Sequence, residues 1–356
     1  MEITLKEIDE EKEKIEQIVL GNKKIILYGM GMMGKFGYEF LANKVDDIIC
    51  VDGNAKLWGG RNPNILSPDV LADYKDYIVV ITPVLEFYRE IQNKVNEYGM
   101  KSVSLFNYIY YIMNEKYKEV YDLFEDEYSK KLYLNLLYGK MKGDSQFIYD
   151  YFERNIYFAL PQFNCLDRDF VFVDCGAFVG DTIEQYITNH LGFFKKIYAF
   201  EPGKSQFECL KRRTERVSYE WGLNDNKIVL ENMAIGDKAQ QVKCENATNN
   251  FHSGDRFIDG TDGTGNIKMT SLDEYFLGLD DRISMIKADI EGNELAMLKG
   301  AHEIIKRDHP LMAISLYHRM EDLFIIPLYI RDKFPEYKLS LRQHLPQFLD
   351  TVLYCY

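Results

Sequence analysis

Four carboxylates and one imidazole stand where apolar runs of the chain end. Asp174 closes FVFVD, Glu201 closes IYAFE, Asp289 closes MIKAD with Glu291 two residues on, and His318 follows LMAISLY. An acid in such a place can accept hydrogen bonds from hydroxyls or from an ammonium. A His with an ordinary pKa near 6.5 suits a general base. The first acid is followed by two glycines, in Asp174-Cys-Gly176-Ala177-Phe178-Val-Gly180-Asp181-Thr182. Such a turn lets a backbone approach a ligand closely and points a helix N-terminus at an anionic group. Asp174 and this loop can face the ammonium and carboxylate of a small zwitterion. Glu201 ends the next run and can take both hydroxyls of a ribose. Ile228 to Glu231 then leads to Asn232-Met-Ala234, where an adenine would be flanked. A zwitterion, a ribose and an adenine together fit S-adenosylmethionine better than a pyrophosphate. Asp289 would lie next to the reacting centre, with His318 on the same edge one crossover along. His190, His252, His302, His309 and His344 lie on helices or loops without that placement and are read as structural.

A second glycine turn occurs earlier, at Gly29-Met-Gly31-Met-Met-Gly34, with Asp52 at the end of the following apolar run. This is the spacing of a dinucleotide loop and its ribose-binding acid. It makes a nucleotide-like ligand an expectation for this region. An alternative is a fold kept without its ligand. No His, Tyr or Lys follows in a position for hydride chemistry.

The elements that must position these residues follow from periodicity. Residues 3–20 form a loose amphipathic helix. Strands are expected at 23–28, 48–51, 77–82 and 102–106, with helices at 35–43 and 85–98. A second alternating series has strands at 170–174, 196–200, 228–232, 284–288 and 311–317, and helices at 181–190, 204–216, 293–307 and 321–334. Two strands without a helix between them, 337–342 and 351–354, close the chain. Alternating strands and helices imply parallel sheets with right-handed crossovers. The fold class is therefore α/β, with two Rossmann-like doubly wound domains. The second ends in a hairpin that adds one antiparallel strand near the sheet's edge. The domains are placed at 1–107 and 166–356, joined by a helical connector at 108–165. The connector's Tyr, Phe and Leu at helical spacing read as core. Asn246 to Gly265 is the one low-complexity stretch and reads as a mobile loop.

Composition narrows the partners. The 356 residues carry a formal charge of -13, split as -6 over 1–165 and -7 over 166–356. Neither half supplies the basic face that nucleic acid or an anionic membrane requires. None of the six cysteines forms a C-x-x-C pair, and no His completes a zinc site. There is no signal-peptide core at the N-terminus and no apolar run long enough to span a bilayer, so a cytoplasmic location is expected. Homo-oligomerisation is left open.

Four ordered blocks, VDCGAFVGDT, AFEP, TSLDEYF and IKADIEGNELAMLKGA, resemble the FkbM-type S-adenosylmethionine-dependent methyltransferases. The resemblance covers about residues 165–356. The tail, together with the N-terminal half, is similar to a two-domain bacterial branch of that family. The N-terminal half is similar to nucleotide-binding domains of sugar-modifying proteins. The resemblance implies a class I methyltransferase sheet and O-methyl transfer to a hydroxyl of a sugar, glycan or natural product. The expected base is His318, with Asp289 orienting the acceptor, and the two roles could be exchanged. Glu291 would fix the Asp289 loop, or the two acids would share Mg²⁺. Two rival readings are an NAD-dependent enzyme and a nucleotide-sugar binding module, both run by the first domain.

Overall fold

The computed structural model describes residues 3–58, 64–83, 86–244, 257–259 and 267–356. The chain divides into two compact units. One comprises Met1–Phe152, Arg319–Leu328 and Leu345–Leu349, and the other Glu153–His318, Tyr329–His344 and Asp350–Tyr356.

The first unit opens with helix α1 (Leu5–Val19), whose Ile8, Ile15 and Val19 are buried. Strands β1 (Lys24–Tyr28), β2 (Asp47–Val51), β3 (Ile65–Leu66), β4 (Ile78–Ile81) and β5 (Ser102–Ser104) form a sheet in the order β3-β2-β1-β4-β5. All its pairings are parallel. The runs KIILY and IVVI are continuous because both faces of a central parallel strand are covered. Helix α2 (Met32–Leu41) begins three residues before the expected start. Gly31 is its N-cap, and the Lys35 amide donates to the Gly31 carbonyl at 3.0 Å, so the glycine run is cap and first turn together. Helix α3 (Glu86–Glu97) follows β4.

Helices α4 (Leu105–Met113), α5 (Lys116–Leu123) and α6 (Glu127–Lys142) were expected in a separate connector. They belong to the first unit, where α4 and α6 contact α1. Their aromatic stripe is core: Tyr108, Tyr110, Tyr117 and Tyr133 are fully buried. Ser104 and Asp126 cap α4 and α6 by accepting from the amides of Asn107 and Ser129. The unit boundary falls at 152/153 rather than 165/166, and two later segments, 319–328 and 345–349, join the first unit.

The second unit contains β6 (Val171–Cys175), α7 (Asp181–Asn189), β7 (Lys196–Phe200), α8 (Lys204–Trp221), β8 (Ile228–Glu231), β9 (Ala234–Ile235), β10 (Gln240–Cys244), β11 (Phe257–Asp259), β12 (Ile267–Thr270) and α9 (Leu272–Tyr275). It continues with β13 (Met285–Ala288), α10 (Glu294–Gly300), α11 (His302–Asp308), β14 (Leu311–Ser315), α12 (Asp322–Lys333, divided between the units), β15 (Leu339–Gln343) and β16 (Thr351–Cys355). Its main sheet has the order β15-β16-β14-β13-β6-β7-β8. β16 runs antiparallel to both β14 and β15, and the other pairings are parallel. This is the expected sheet with one reversed strand next to its edge.

Two departures have local causes. The expected helix 293–307 is broken at Ala301, because the Asp273 carboxylate accepts from the amides of Glu303 and Ile304 and so starts a new helix there. A small sheet, β11-β10-β12-β9, occupies the region around the expected loop 246–265. Phe257–Asp259 is a strand within that loop, and the rest of it lies outside the described residues. No helix among the described residues is long and apolar enough to cross a membrane.

The core of the second unit is aromatic. Phe158, Phe163, Phe170, Phe172, Tyr186 and Phe194 form one buried cluster, and the rings of Phe172 and Tyr186 stack with centroids 4.7 Å apart. Phe172→Ala would empty that space on β6. The expected loss is about 3–5 kcal/mol, measured as a lowered denaturation midpoint of the full chain.

Candidate active site

The C-terminal ends of β8, β7, β6, β13 and β14 meet a cavity of about 300 Å³, a volume suited to a small molecule. Every residue lining it belongs to the second unit.

At the centre lies a buried ion pair. Lys287 on β13 is in register with Asp174 on β6, and its ammonium is 3.0 Å from the carboxylate. It also donates to the Gly176 carbonyl at 2.6 Å. Burial would drive the Lys287 pKa down, but the charges of Asp174 and Asp289 outweigh it and hold the group above its ordinary value. Gly176 has φ 84, and a Cβ there would overlap the Asp289 carbonyl oxygen. Only glycine allows the loop to close this tightly on the end of β13. The amides of Gly176 and Ala177 donate to the Phe200 carbonyl at 3.0 and 2.9 Å, which ties the loop to β7. Gly180 caps α7, so Asp181 and Thr182 sit in its first turn on the cavity wall.

Glu201 follows β7. Its two oxygens accept from the amides of Phe178, at 2.8 Å, and Gly203, at 2.7 Å. Each oxygen keeps one lone pair for a ligand hydroxyl. Burial raises its pKa to about 7. Met233 and Ala234 line the cavity after β8.

Asp289 follows β13 and is the most heavily bonded acid. One oxygen accepts from the Tyr157 hydroxyl at 2.6 Å, and the other accepts from the Tyr317 hydroxyl at 3.0 Å and lies 3.3 Å from His318 Nε2. Burial pushes its pKa up, but His318, Lys287 and the two tyrosines bring it below the usual carboxylate range. The other face of His318 meets Glu294, with Nδ1 2.9 Å from Oε1, and Glu291 Oε2 is 3.4 Å from Nε2. Burial disfavours the imidazolium, yet these three carboxylates raise the His318 pKa to about 10. At neutral pH His318 is therefore a cation with no lone pair to take a proton.

Sequence reasoning placed Asp174, Gly176, Ala177, Phe178, Gly180, Asp181, Thr182, Glu201, Ala234, Asp289, Glu291 and His318 together, and the structure brings them to one edge. It missed Lys287, Glu294, Tyr157, Tyr317 and Asp350. Lys287 was readable as a lone charge inside the apolar run MIKA. Tyr157 and Asp350 come from segments with no motif. Four residues on the cavity wall, Tyr157, Phe178, Glu291 and Asp350, hold positive φ values without being glycine. Donor atoms of Asp289, Glu294 and His318 lie within 4.8 Å of one another, so Glu294, rather than Glu291, completes the cation-sized cluster.

In the first unit the earlier glycine turn is tightly closed. A Cβ on Gly34 would overlap the Gly29 carbonyl oxygen. The Asp52 carboxylate accepts from the amides of Met30 and Asn54, both at 2.7 Å, so it braces the turn that carries Gly29, Gly31 and Gly34.

The second unit thus has the sheet and edge cavity of a Rossmann-like methyltransferase. Residues 174–348 match the model of the methyltransferase FkbM domain. The solved structure of methyltransferase FkbM from Methylobacillus flagellatus aligns with a TM-score of 0.57 at 20% identity, over 96% of this chain and 93% of that one. An rRNA methylase from Streptococcus thermophilus aligns at 18% identity and a TM-score of 0.33, covering 53% of this chain and 87% of its own. Precorrin-6y C5,15-methyltransferase from Geobacter metallireducens aligns at 12% identity and a TM-score of 0.30, covering 53% and 80%. No curated protein matches the sequence. Residues 174–348 belong to the FkbM family of S-adenosylmethionine-dependent methyltransferases.

The charge on His318 has a measurable consequence. Its pairing stabilises the fold fully below pH 6.5, and that contribution is lost as pH rises towards about 10. His318→Gln should flatten the fall in thermal midpoint between pH 7 and 10. A wild-type midpoint that does not fall over this range would contradict the pairing.

Proposed function

We propose that this chain transfers the methyl group of S-adenosylmethionine to a hydroxyl oxygen of a sugar, glycan or natural product. One observation carries the reading. A single cavity holds at one end a carboxylate pinned by two amides, Glu201, and at the other a carboxylate pinned by two tyrosines, Asp289.

When bound, S-adenosylmethionine supplies a methyl group already activated on a sulfonium. Glu201 accepts from the ribose hydroxyls. Gly176, Phe178, Asp181 and Thr182 form the wall around the amino-acid end, Ala177 and Gly180 shape the same turn, and Asp174 is held beneath them by Lys287. Ala234 and Met233 flank the adenine. Asp289, held by Tyr157 and Tyr317, orients the acceptor hydroxyl, and Glu291 and Glu294 keep His318 charged beside it. Positioning an acceptor in line with the donor removes much of the entropic part of the barrier to such a step.

No step is assigned to Mg²⁺. Asp289, Glu294 and His318 are the residues that would hold such an ion. The acidic balance in both halves supports an acceptor without phosphates.

Calorimetry on the full chain with S-adenosylhomocysteine, NAD and nucleotide sugars tests the reading. S-adenosylhomocysteine should bind, and Glu201→Ala should weaken it by roughly 10- to 100-fold, the loss of a charged hydrogen-bond acceptor. The wild-type affinity should fall as pH is lowered through about 7, where Glu201 takes up a proton. Binding of NAD with no binding of S-adenosylhomocysteine would overturn the proposal.

A further inference from the structure

An alcohol must lose its proton as its oxygen takes the methyl, and His318 is enclosed by Asp289, Glu291 and Glu294 and is not among the residues that line the cavity. Asp289 is committed to two tyrosines and an imidazolium. Glu294 is fully buried and is shared by the Ile290 amide and His318. Glu291 lies 3.4 Å from the same imidazolium. The further carboxylate on the acceptor side of the cavity is Asp350.

Its position follows from the reversed strand. The parallel strands reach the cavity with their ends, whereas β16 reaches it with its beginning. Ser315 pairs with Val352, and the Leu316 amide donates to the Thr351 carbonyl at 2.8 Å. The residue before β16 therefore lands beside Tyr317 and Asp289, on the same edge. Asp350 is half-buried there with φ 52, a left-handed conformation that Asp and Asn tolerate better than most residues. Along the edge the strand order is β8, β7, β6, β13, β14, β16. Glu201 and Asp350 thus lie on opposite flanks of the Asp174 loop. With ribose at Glu201 and the reacting centre at Asp289, Asp350 stands beyond the methyl, where the acceptor enters.

Resting on the methyltransferase reading above, we propose that Asp350 takes the acceptor's proton. The acceptor's O–H bond breaks and its oxygen bonds the methyl carbon. The carbon–sulfur bond breaks with its electron pair left on sulfur, and the proton moves to the Asp350 carboxylate and then to solvent. Asp289 positions the hydroxyl and keeps its own charge. The electrostatics agree with this division. Burial and the charge of Asp289 raise the Asp350 pKa to about 6, against the opposing effects of Tyr317, His318 and Lys287. Asp350 is ionised at neutral pH and is a stronger base than Asp289, whose pKa is lowered.

The test needs no acceptor. Sinefungin carries a charged amine where S-adenosylmethionine carries its methyl, so the amine points at whatever faces the methyl. Calorimetry on the full chain compares it with S-adenosylhomocysteine, which has nothing there. The wild type should prefer sinefungin, and that preference should fall as pH is lowered through about 6. Asp350→Asn should reduce the preference by about tenfold or more, the loss of a charge-assisted contact, with S-adenosylhomocysteine affinity unchanged and no pH dependence near 6. Asp350→Gly, which takes positive φ without strain, should do the same. An unchanged preference in both variants overturns the proposal. A loss of S-adenosylhomocysteine affinity in both also overturns it, because Asp350 would then be a wall of the cofactor pocket. Failure of the wild type to bind either compound overturns the methyltransferase reading itself, which separates the two failures.

Discussion

Two buried cations hold the site together. Lys287 and His318 are each almost fully enclosed, and between them they face Asp174, Asp289, Glu291 and Glu294. Carboxylates gathered at one sheet edge would repel one another and would protonate if nothing positive stood among them. A charge removed from water carries a desolvation penalty of several kcal/mol, repaid only by close geometry and further hydrogen bonds. That is why the surrounding groups are so fully used: Gly176 gives its carbonyl to Lys287, Ile290 gives its amide to Glu294, and Tyr157 and Tyr317 give their hydroxyls to Asp289. The loop shapes follow from these demands, including the tight closure at Gly176.

The same network separates the carboxylates by function. Asp289 is crowded by cations and hydroxyls, so its charge is held and its basicity is low. Glu201 and Asp350 feel burial more than counter-charge, so both sit near neutrality. One cavity therefore offers acids of different strengths at different distances along its edge. Different chemical tasks can be assigned to them without any unusual residue type.

Much of this was legible in the sequence, for physical reasons. A parallel strand buried on both faces is a continuous apolar run, so the acids that end such runs, Asp174, Glu201 and Asp289, announce their own positions. His318 was placed by the same rule, but its charge was not, because that depends on Glu294 and Glu291 reaching it from another loop. Asp350 escaped because a strand entering in reverse brings its beginning, not its end, to the site, whereas the acids read as site residues were those that end apolar runs. The small sheet β11-β10-β12-β9 escaped because short strands among Asn and Gly carry no clear alternation. The Gly29 turn has the spacing of a ligand loop, and Asp52 accepts from two backbone amides of its own loop as Glu201 does in the second unit.

The left-handed residues on the cavity wall have one more consequence. Tyr157, Phe178, Glu291 and Asp350 each hold a conformation that costs about 1–3 kcal/mol relative to relaxed backbone. The rest of the second unit's packing must carry that burden. Selection for heat resistance alone would drift these positions towards glycine or asparagine, raising the melting temperature while erasing the side chains that give the cavity its chemistry. Durability and function pull this rim of residues in opposite directions.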